Sequence, residues 1–222
     1  MPVDLVIFDC DGVLVNSEVI SCRAHAETLT RYGYPITADQ VLARFLGVSD
    51  REARQTIESE MGRNLPDDFE AQMKQAALQR YANELAAIPY VGEAIAAIGA
   101  PKCVASSGTH EKIRHGLTCA GLYDRLAPDI FSATQVERGK PAPDLFLFAA
   151  GQMRAAPARC IVIEDSVPGV TGARAAGMTV LGFHGGSHCG PGYDDTLRSA
   201  GAIMTFDDMR QLPGLIAKVG AN

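Results

Sequence analysis

Six short apolar runs recur along this chain, and they constrain its fold more than any other feature. They are VDLVIF (3–8), KCVAS (102–106), DIFSA (129–133), CIVIE (160–164), TVLGF (179–183) and a weaker AIMTF (202–206). Runs of this kind suit strands buried on both faces, which need not alternate apolar with polar residues. Helix signals separate most of them. Thr109 is placed to cap a helix over 110–119, and Pro143 suits the first turn of a helix reaching about Met153. Ser166 precedes a helical stretch over 167–176 that Gly177 can terminate. Strands alternating with helices predict an α/β domain built on a doubly wound parallel sheet.

One region breaks the alternation. Residues 17–87 carry helix patterns only. Ser17 opens a helix to about Tyr32, and Thr37 can cap a second, ADQVLARFL. Ser49 to Glu52 reads S-D-R-E, a capping box for a third. Pro66 suits the first turn of a fourth, DDFEAQMKQAALQRYANEL. The expected organisation is an α/β core of residues 1–16 and 88–222, with a small all-helical domain of residues 17–87 inserted after the first strand. The chain would leave the core near Asn16 and return near Pro89. Crossing points so close together would let the insertion rock as a lid.

Composition narrows the function classes. Of 222 residues, 47% are apolar and 21% charged, enough to bury a real core. The net charge of −6, without a basic run, argues against nucleic acid and against an anionic membrane surface. An anionic ligand would have to be met by local positive groups. No secretory signal pattern opens the chain, and no apolar run approaches the ~18 residues of a membrane span. The six cysteines lack C-x-x-C spacing. They read as reduced and mostly buried, in a cytoplasmic protein; a monomer is the expected state.

The chemistry-bearing residues fall at the ends of the apolar runs. Residues i and i+2 of a strand share a side, so Asp9 and Asp11 are neighbours while Cys10 faces away. In open α/β sheets, ligands bind beyond the carboxyl ends of the strands. Gly12 lets the backbone turn closely around a ligand. Two adjacent carboxylates repel unless a cation or shared proton intervenes, and Mg²⁺ takes such hard oxygen donors together with substrate phosphate. Taken alone, D-x-D is also a common solvated turn. Three further strand ends weigh against that. Ser106 and Ser107 stand in SSG before a helix start, where hydroxyls and free N–H groups can cradle a phosphate. Lys140 is a lone cation in GKPAPD. Glu164 and Asp165 are adjacent in IEDS.

The ordered set DCDGVLVNSE (9–18), SSG (106–108), GKPAPDLF (139–146) and IEDSVPGV (163–170), with a helical insertion after the first, resembles the haloacid dehalogenase-like hydrolases over essentially the whole chain. Within them it is similar to the sugar-phosphate branch, which holds β-phosphoglucomutase-type mutases and small-sugar phosphatases. The resemblance implies that Asp9 is the nucleophile and forms an aspartyl-phosphate, and that Asp11 is the general acid and base. It further implies that Mg²⁺ is held by Asp9, the Asp11 carbonyl and Asp165 with Glu164 beside it. Ser106 and Lys140 would bind the phosphoryl group and balance its charge, with Gly12 and Ser107 around it. The implied substrate is a small phosphorylated metabolite. Many relatives carry Asp where Asn16 stands, read here as a hinge-side change.

Alternatives differ at particular residues. A mutase of the same branch uses a histidine where this chain has Ser21, and its cap lysine and arginine align with Leu46 and Asp50. That favours a phosphatase, although His25, one turn after Ser21, can substitute. A dehalogenase lacks the second acid, Asp11. A phospho-acceptor receiver would place its acid pair after the first strand and its acceptor after the third. Cys10 lacks the anion-cradling loop of a cysteine phosphatase. HGGSHC (184–189) reads as a glycine-rich loop rather than a metal site of His184, His188 and Cys189. Arg51 and Arg54 are the basic residues near FLGVS that can meet a second anionic group, such as a sugar-acid carboxylate.

Overall fold

The computed structural model describes residues 3–45, 48 and 50–221. In chain order the elements are β1 (Leu5–Phe8), α1 (Glu18–Arg31), α2 (Ala38–Phe45), α3 (Asp50–Met61), α4 (Phe69–Glu84), α5 (Val91–Ala97), β2 (Lys102–Ser106), α6 (His110–Cys119), α7 (Tyr123–Leu126), β3 (Ile130–Ser132), α8 (Asp144–Gln152), β4 (Cys160–Glu164), α9 (Val167–Ala175), β5 (Thr179–Phe183), α10 (Tyr193–Ala200), β6 (Met204–Phe206) and α11 (Leu212–Gly220). Two compact units result, one of residues 1–16 and 86–222, the other Ser17–Leu85.

The first unit holds a six-stranded sheet of order β3-β2-β1-β4-β5-β6, parallel at every pairing. β1 and β4 are buried along their whole length because both faces carry helices, which is why their sequences read as continuous apolar runs. Leu5, Ile7, Cys103, Val162 and Val180 pack with Leu145, Phe146, Ala149, Val170 and Ala173 from α8 and α9. The edge strands β3 and β6 are only three residues long, shorter than their apolar runs. Ser132 ends β3 by accepting a bond from Thr134 N and starting a turn of 3₁₀ helix. The winding reverses between β1 and β4, and such a reversal opens a crevice at the strands' carboxyl ends.

The capping expectations divide. Thr109 and Ser166 accept bonds from Lys112 N and Gly169 N at the starts of α6 and α9. Pro66 lies outside α4: its carbonyl accepts from Phe69 N, so a turn precedes the helix, which begins two residues after Asp67. The S-D-R-E box involves Ser49, outside the described residues. The helices α5, α10 and α11 carried no strong sequence signal. The first two are short and begin after Tyr90 and Gly192, both at left-handed φ.

The helical unit has a core of its own, with Cys22, Ala26, Leu29, Tyr34, Ile36, Val41, Ile57, Leu65 and Phe69 buried together. The Tyr32 ring meets Phe69 edge-on at 5.4 Å. At the start of α2, Gln40 N donates to Thr37 Oγ1 and Thr37 N donates to Gln40 Oε1, at 3.2 and 2.9 Å. The chain leaves the first unit and re-enters it through paired backbone: Asn16 N donates to Ala86 O and Ile88 N to Leu14 O.

Phe69 is 1% exposed, so Phe69→Ala should cost the helical unit about 3–5 kcal/mol. Hydrogen exchange should accelerate across residues 17–85 while the amides of β2 and β4 keep their protection.

Candidate active site

Asp9 follows β1 directly, and its N–H extends the ladder by donating to Ile163 O at 3.0 Å. Its side chain points into the crevice between β1 and β4. There Lys140, from the loop before α8, donates to Asp9 Oδ1 at 2.5 Å and to Glu164 Oε1 at 2.6 Å. The lysine side chain is 4% exposed, and its Nζ lies 5.1 Å from the centre of the Phe146 ring. Burial opposes its charge, but Asp9 and Glu164 outweigh burial and hold its pKa above the usual lysine range. Asp9 moves the other way. Burial pushes its carboxyl well above the ordinary carboxylate range, Glu164 and Asp165 add to this, and Lys140 only partly offsets it.

Glu164 has both oxygens occupied. Oε2 accepts from Asp165 N, Ser166 N and Ser166 Oγ, at 3.0, 2.9 and 2.9 Å. As placed, it secures Lys140 and the start of α9 rather than presenting an open ligand. A β-carbon at Gly169 would stand 1.8 Å from Glu164 Oε1, so that turn of α9 requires glycine. Asp165 turns towards the loop after β5, where His188 Nε2 lies 3.0 Å from its Oδ2. Burial raises the Asp165 pKa to about 6, against the lowering pull of His188. His188 is raised to about 10: burial opposes its charge, but the bonds to Asp165 and Cys189 prevail.

Gly12 has φ +83°, and a β-carbon there would come 1.8 Å from Asp165 Oδ2. Asp11 is half-buried beside this turn, and Lys112 Nζ of α6 donates to its Oδ2 at 2.9 Å. Ser106 is buried at the end of β2 and its Oγ accepts from Gly108 N, while Ser107 is exposed. Ser132, at the end of β3, donates to Gly108 O at 2.6 Å and so fixes the same turn. Cys10 is buried, and burial with Asp11 and Asp9 beside it pushes its thiol well up, which disfavours a nucleophilic thiolate.

The structure thus brings Asp9, Lys140, Glu164 and Asp165 together. The residues expected from the insertion belong to the other unit. Arg54 is committed there: it donates to Glu58, to both oxygens of Glu70 and to the Leu65 carbonyl. Arg51 is exposed on α3, and His25 is half-buried on α1. Ser21 Oγ lies 2.7 Å from the Tyr81 hydroxyl. Leu46 is outside the described residues, as is the placement of the Asp50 side chain.

Three contacts around the site were not expected from the sequence: Lys112 with Asp11, His188 with Asp165, and Ser132 with the Gly108 carbonyl. Lys112 and Ser132 looked like ordinary helix and strand-end residues. For His188 a signal existed, a histidine after a Gly-Gly pair at the carboxyl end of a strand. His184 instead pairs its N–H with Phe206 O. Among the described residues, no group of three or more His, Cys, Asp or Glu side chains is disposed to hold a metal ion alone.

A family model described as haloacid dehalogenase-like hydrolase matches residues 6–183, from within β1 to the end of β5. The chain belongs to this family. The 6-phosphogluconate phosphatase of Escherichia coli K12 is 33% identical to this hydrolase over 214 residues, covering 96% of this chain and 94% of that one. A conserved haloacid dehalogenase-like protein of unknown function from Agrobacterium tumefaciens is similar in structure, with a TM-score of 0.88 and 38% identity over 98% of this chain and 99% of that one. A HAD family hydrolase from Deinococcus radiodurans, solved with bound phosphate and sodium, has a TM-score of 0.81 and 29% identity over 99% and 97% of the two chains.

Lys140→Met should destabilise the hydrolase by about 3–5 kcal/mol, because it strands buried carboxylates. Losing the lysine raises the folded-state pKa of Asp9 further above its unfolded value. The penalty is then present above that pKa and relieved on protonation. Urea titrations should therefore show a smaller loss at pH 5 than at pH 8.

Proposed function

We propose that this hydrolase is a phosphatase that cleaves a small phosphorylated sugar or sugar acid through an aspartyl-phosphate on Asp9. The observation that carries this reading is the buried Asp9 itself. Lys140 holds its Oδ1, which leaves Oδ2 for in-line attack on phosphorus. As the Asp9–phosphorus bond forms, the bond to the leaving oxygen breaks, and Asp11 gives that oxygen its proton. Asp11 then takes a proton from the water that attacks the aspartyl-phosphate, which restores Asp9 and frees inorganic phosphate. Lys140 and the Ser106 hydroxyl, whose Oγ accepts from Gly108 N and keeps its own proton to donate, would meet the charge that develops on the phosphoryl oxygens, and preorganised donors of this kind carry much of such catalysis. Lys112 Nζ donates to Asp11 Oδ2 and so orients the carboxyl group that, protonated, hands its proton to the leaving oxygen and regains it from water.

The donor set fits Mg²⁺. Three buried carboxylates, Asp9, Glu164 and Asp165, still outnumber Lys140 and His188, and burial raises both Asp9 and Asp165, so the pocket accommodates further positive charge. Magnesium keeps several waters and takes one or two carboxylates, so it does not need a cluster of three side chains. Asp9, Asp165 and the Asp11 carbonyl would hold it, with Glu164 behind them. When bound, it neutralises charge between an anionic nucleophile and an anionic substrate.

The helical unit is read as a cap that selects the substrate. Arg54 is engaged in that unit's own ion pairs, which leaves Arg51 as its candidate contact for a second anionic group. Ser21, in the place of the mutase histidine, bonds Tyr81, which supports hydrolysis over phosphoryl return. The strand order 3-2-1-4-5-6 also differs from the 2-1-3-4-5 order of receiver domains.

A phosphate-release screen over sugar phosphates, sugar-acid phosphates and phosphoglycolate tests the reading. Turnover should require Mg²⁺, vanish with a chelator, and fall by at least about 10³-fold in Asp9→Asn with the fold retained. Near wild-type turnover in that variant refutes it.

A further inference from the structure

The loop after β5, residues 184–189, carries no assigned role, yet it delivers a buried imidazole to the acid cluster. The His188 side chain is 2% exposed, and its Nε2 lies 3.0 Å from Asp165 Oδ2. The surroundings are shaped to the ring. A β-carbon at Gly186 would come 2.6 Å from His188 Cε1 and 2.8 Å from Nδ1, and one at Gly12 would come 2.8 Å from Cε1. The Tyr193 ring stands edge-on with centroids 6.0 Å apart. The loop is also tied down: Ser187 donates from N and Oγ to Asn16 Oδ1, at 3.3 and 2.6 Å. The other ring nitrogen, Nδ1, is buried with no hydrogen-bond partner. An unsatisfied buried nitrogen costs stability. The ring's orientation therefore follows from its seat and from Nε2, which contacts Asp165 and the Cys189 thiol, the latter at 3.3 Å.

We infer that His188 is a positioning residue for the divalent cation: it holds Asp165 by Oδ2 so that Oδ1 is presented to the metal. The inference rests on reading Asp165 as a metal ligand. A ligating carboxylate is commonly oriented by an outer partner, and loss of that partner typically weakens metal affinity 10–100-fold. The backbone around the ring fits this role. Gly12 lies between Asp165 and His188, so one missing side chain makes room for both.

The test is calorimetric titration of Mg²⁺ into metal-free wild type, Asp165→Asn, His188→Ala and His188→Gln, with thermal melts to confirm folding. The expected result is binding by wild type and none by Asp165→Asn. Affinity should fall about 10-fold or more in His188→Ala, and His188→Gln, whose amide N–H can reach Oδ2, should recover most of it. Should the alanine variant not fold, His188→Asn, too short to reach Oδ2, replaces it. Unchanged or tighter affinity without the imidazole overturns the inference while leaving the metal site standing. Binding by Asp165→Asn equal to wild type, or none by wild type, overturns the metal assignment itself and this inference with it.

Discussion

One ammonium group makes the pocket possible. Three carboxylates at the carboxyl ends of β1 and β4 are almost wholly removed from water, and Lys140 is the cation that bridges two of them. Without it, Asp9 would keep the burial and the neighbouring carboxylates that push its carboxyl up and would lose the cation that offsets them. Much of the surrounding structure serves this contact. Phe146 of α8 faces the ammonium, and Glu164 is held by the Asp165 and Ser166 N–H groups and the Ser166 hydroxyl so that its other oxygen stays on the lysine. The sheet order then determines which acids can share it, because the winding reverses between β1 and β4.

Around that centre, the turns after successive strands each add one element. The turn after β2 contributes Ser106 and is braced by Ser132 from β3. The turn after β1 contributes Asp11, paired with Lys112 of α6. The loop after β5 contributes His188. The sheet acts as a rack whose rungs end at one edge, so residues far apart in sequence become neighbours without any long excursion of the backbone.

Much of this was legible in the sequence, and the reason is physical. Strands buried on both faces must be apolar throughout, so β1, β2, β4 and β5 announce themselves. Charged residues at the ends of such runs, Asp9 and Glu164–Asp165, have no reason to be there except a site. The less legible parts share a different character. β3 and β6 are shorter than their apolar runs because pairing at a sheet edge is limited by turns such as the one Ser132 starts, which composition does not mark. The α10 helix is bounded by glycines that read equally well as loop. Lys112 and His188 are recognisable only once the fold has placed them against Asp11 and Asp165. Arg54 shows the converse: a basic residue in a suggestive position whose partners, Glu58 and Glu70, lie within its own unit.

The three glycines at 12, 169 and 186 define the pocket by what they leave out. At each, an ordinary side chain would collide with the carboxylate of Asp165 or Glu164 or with the His188 ring. Mutational latitude around the centre should therefore be uneven. Ser107 and His110 are exposed and should tolerate change. The glycines, which carry no chemistry at all, should tolerate as little change as the acids they stand beside. For anyone redesigning specificity, empty space is a conserved quantity here, and it belongs on the same list as charge.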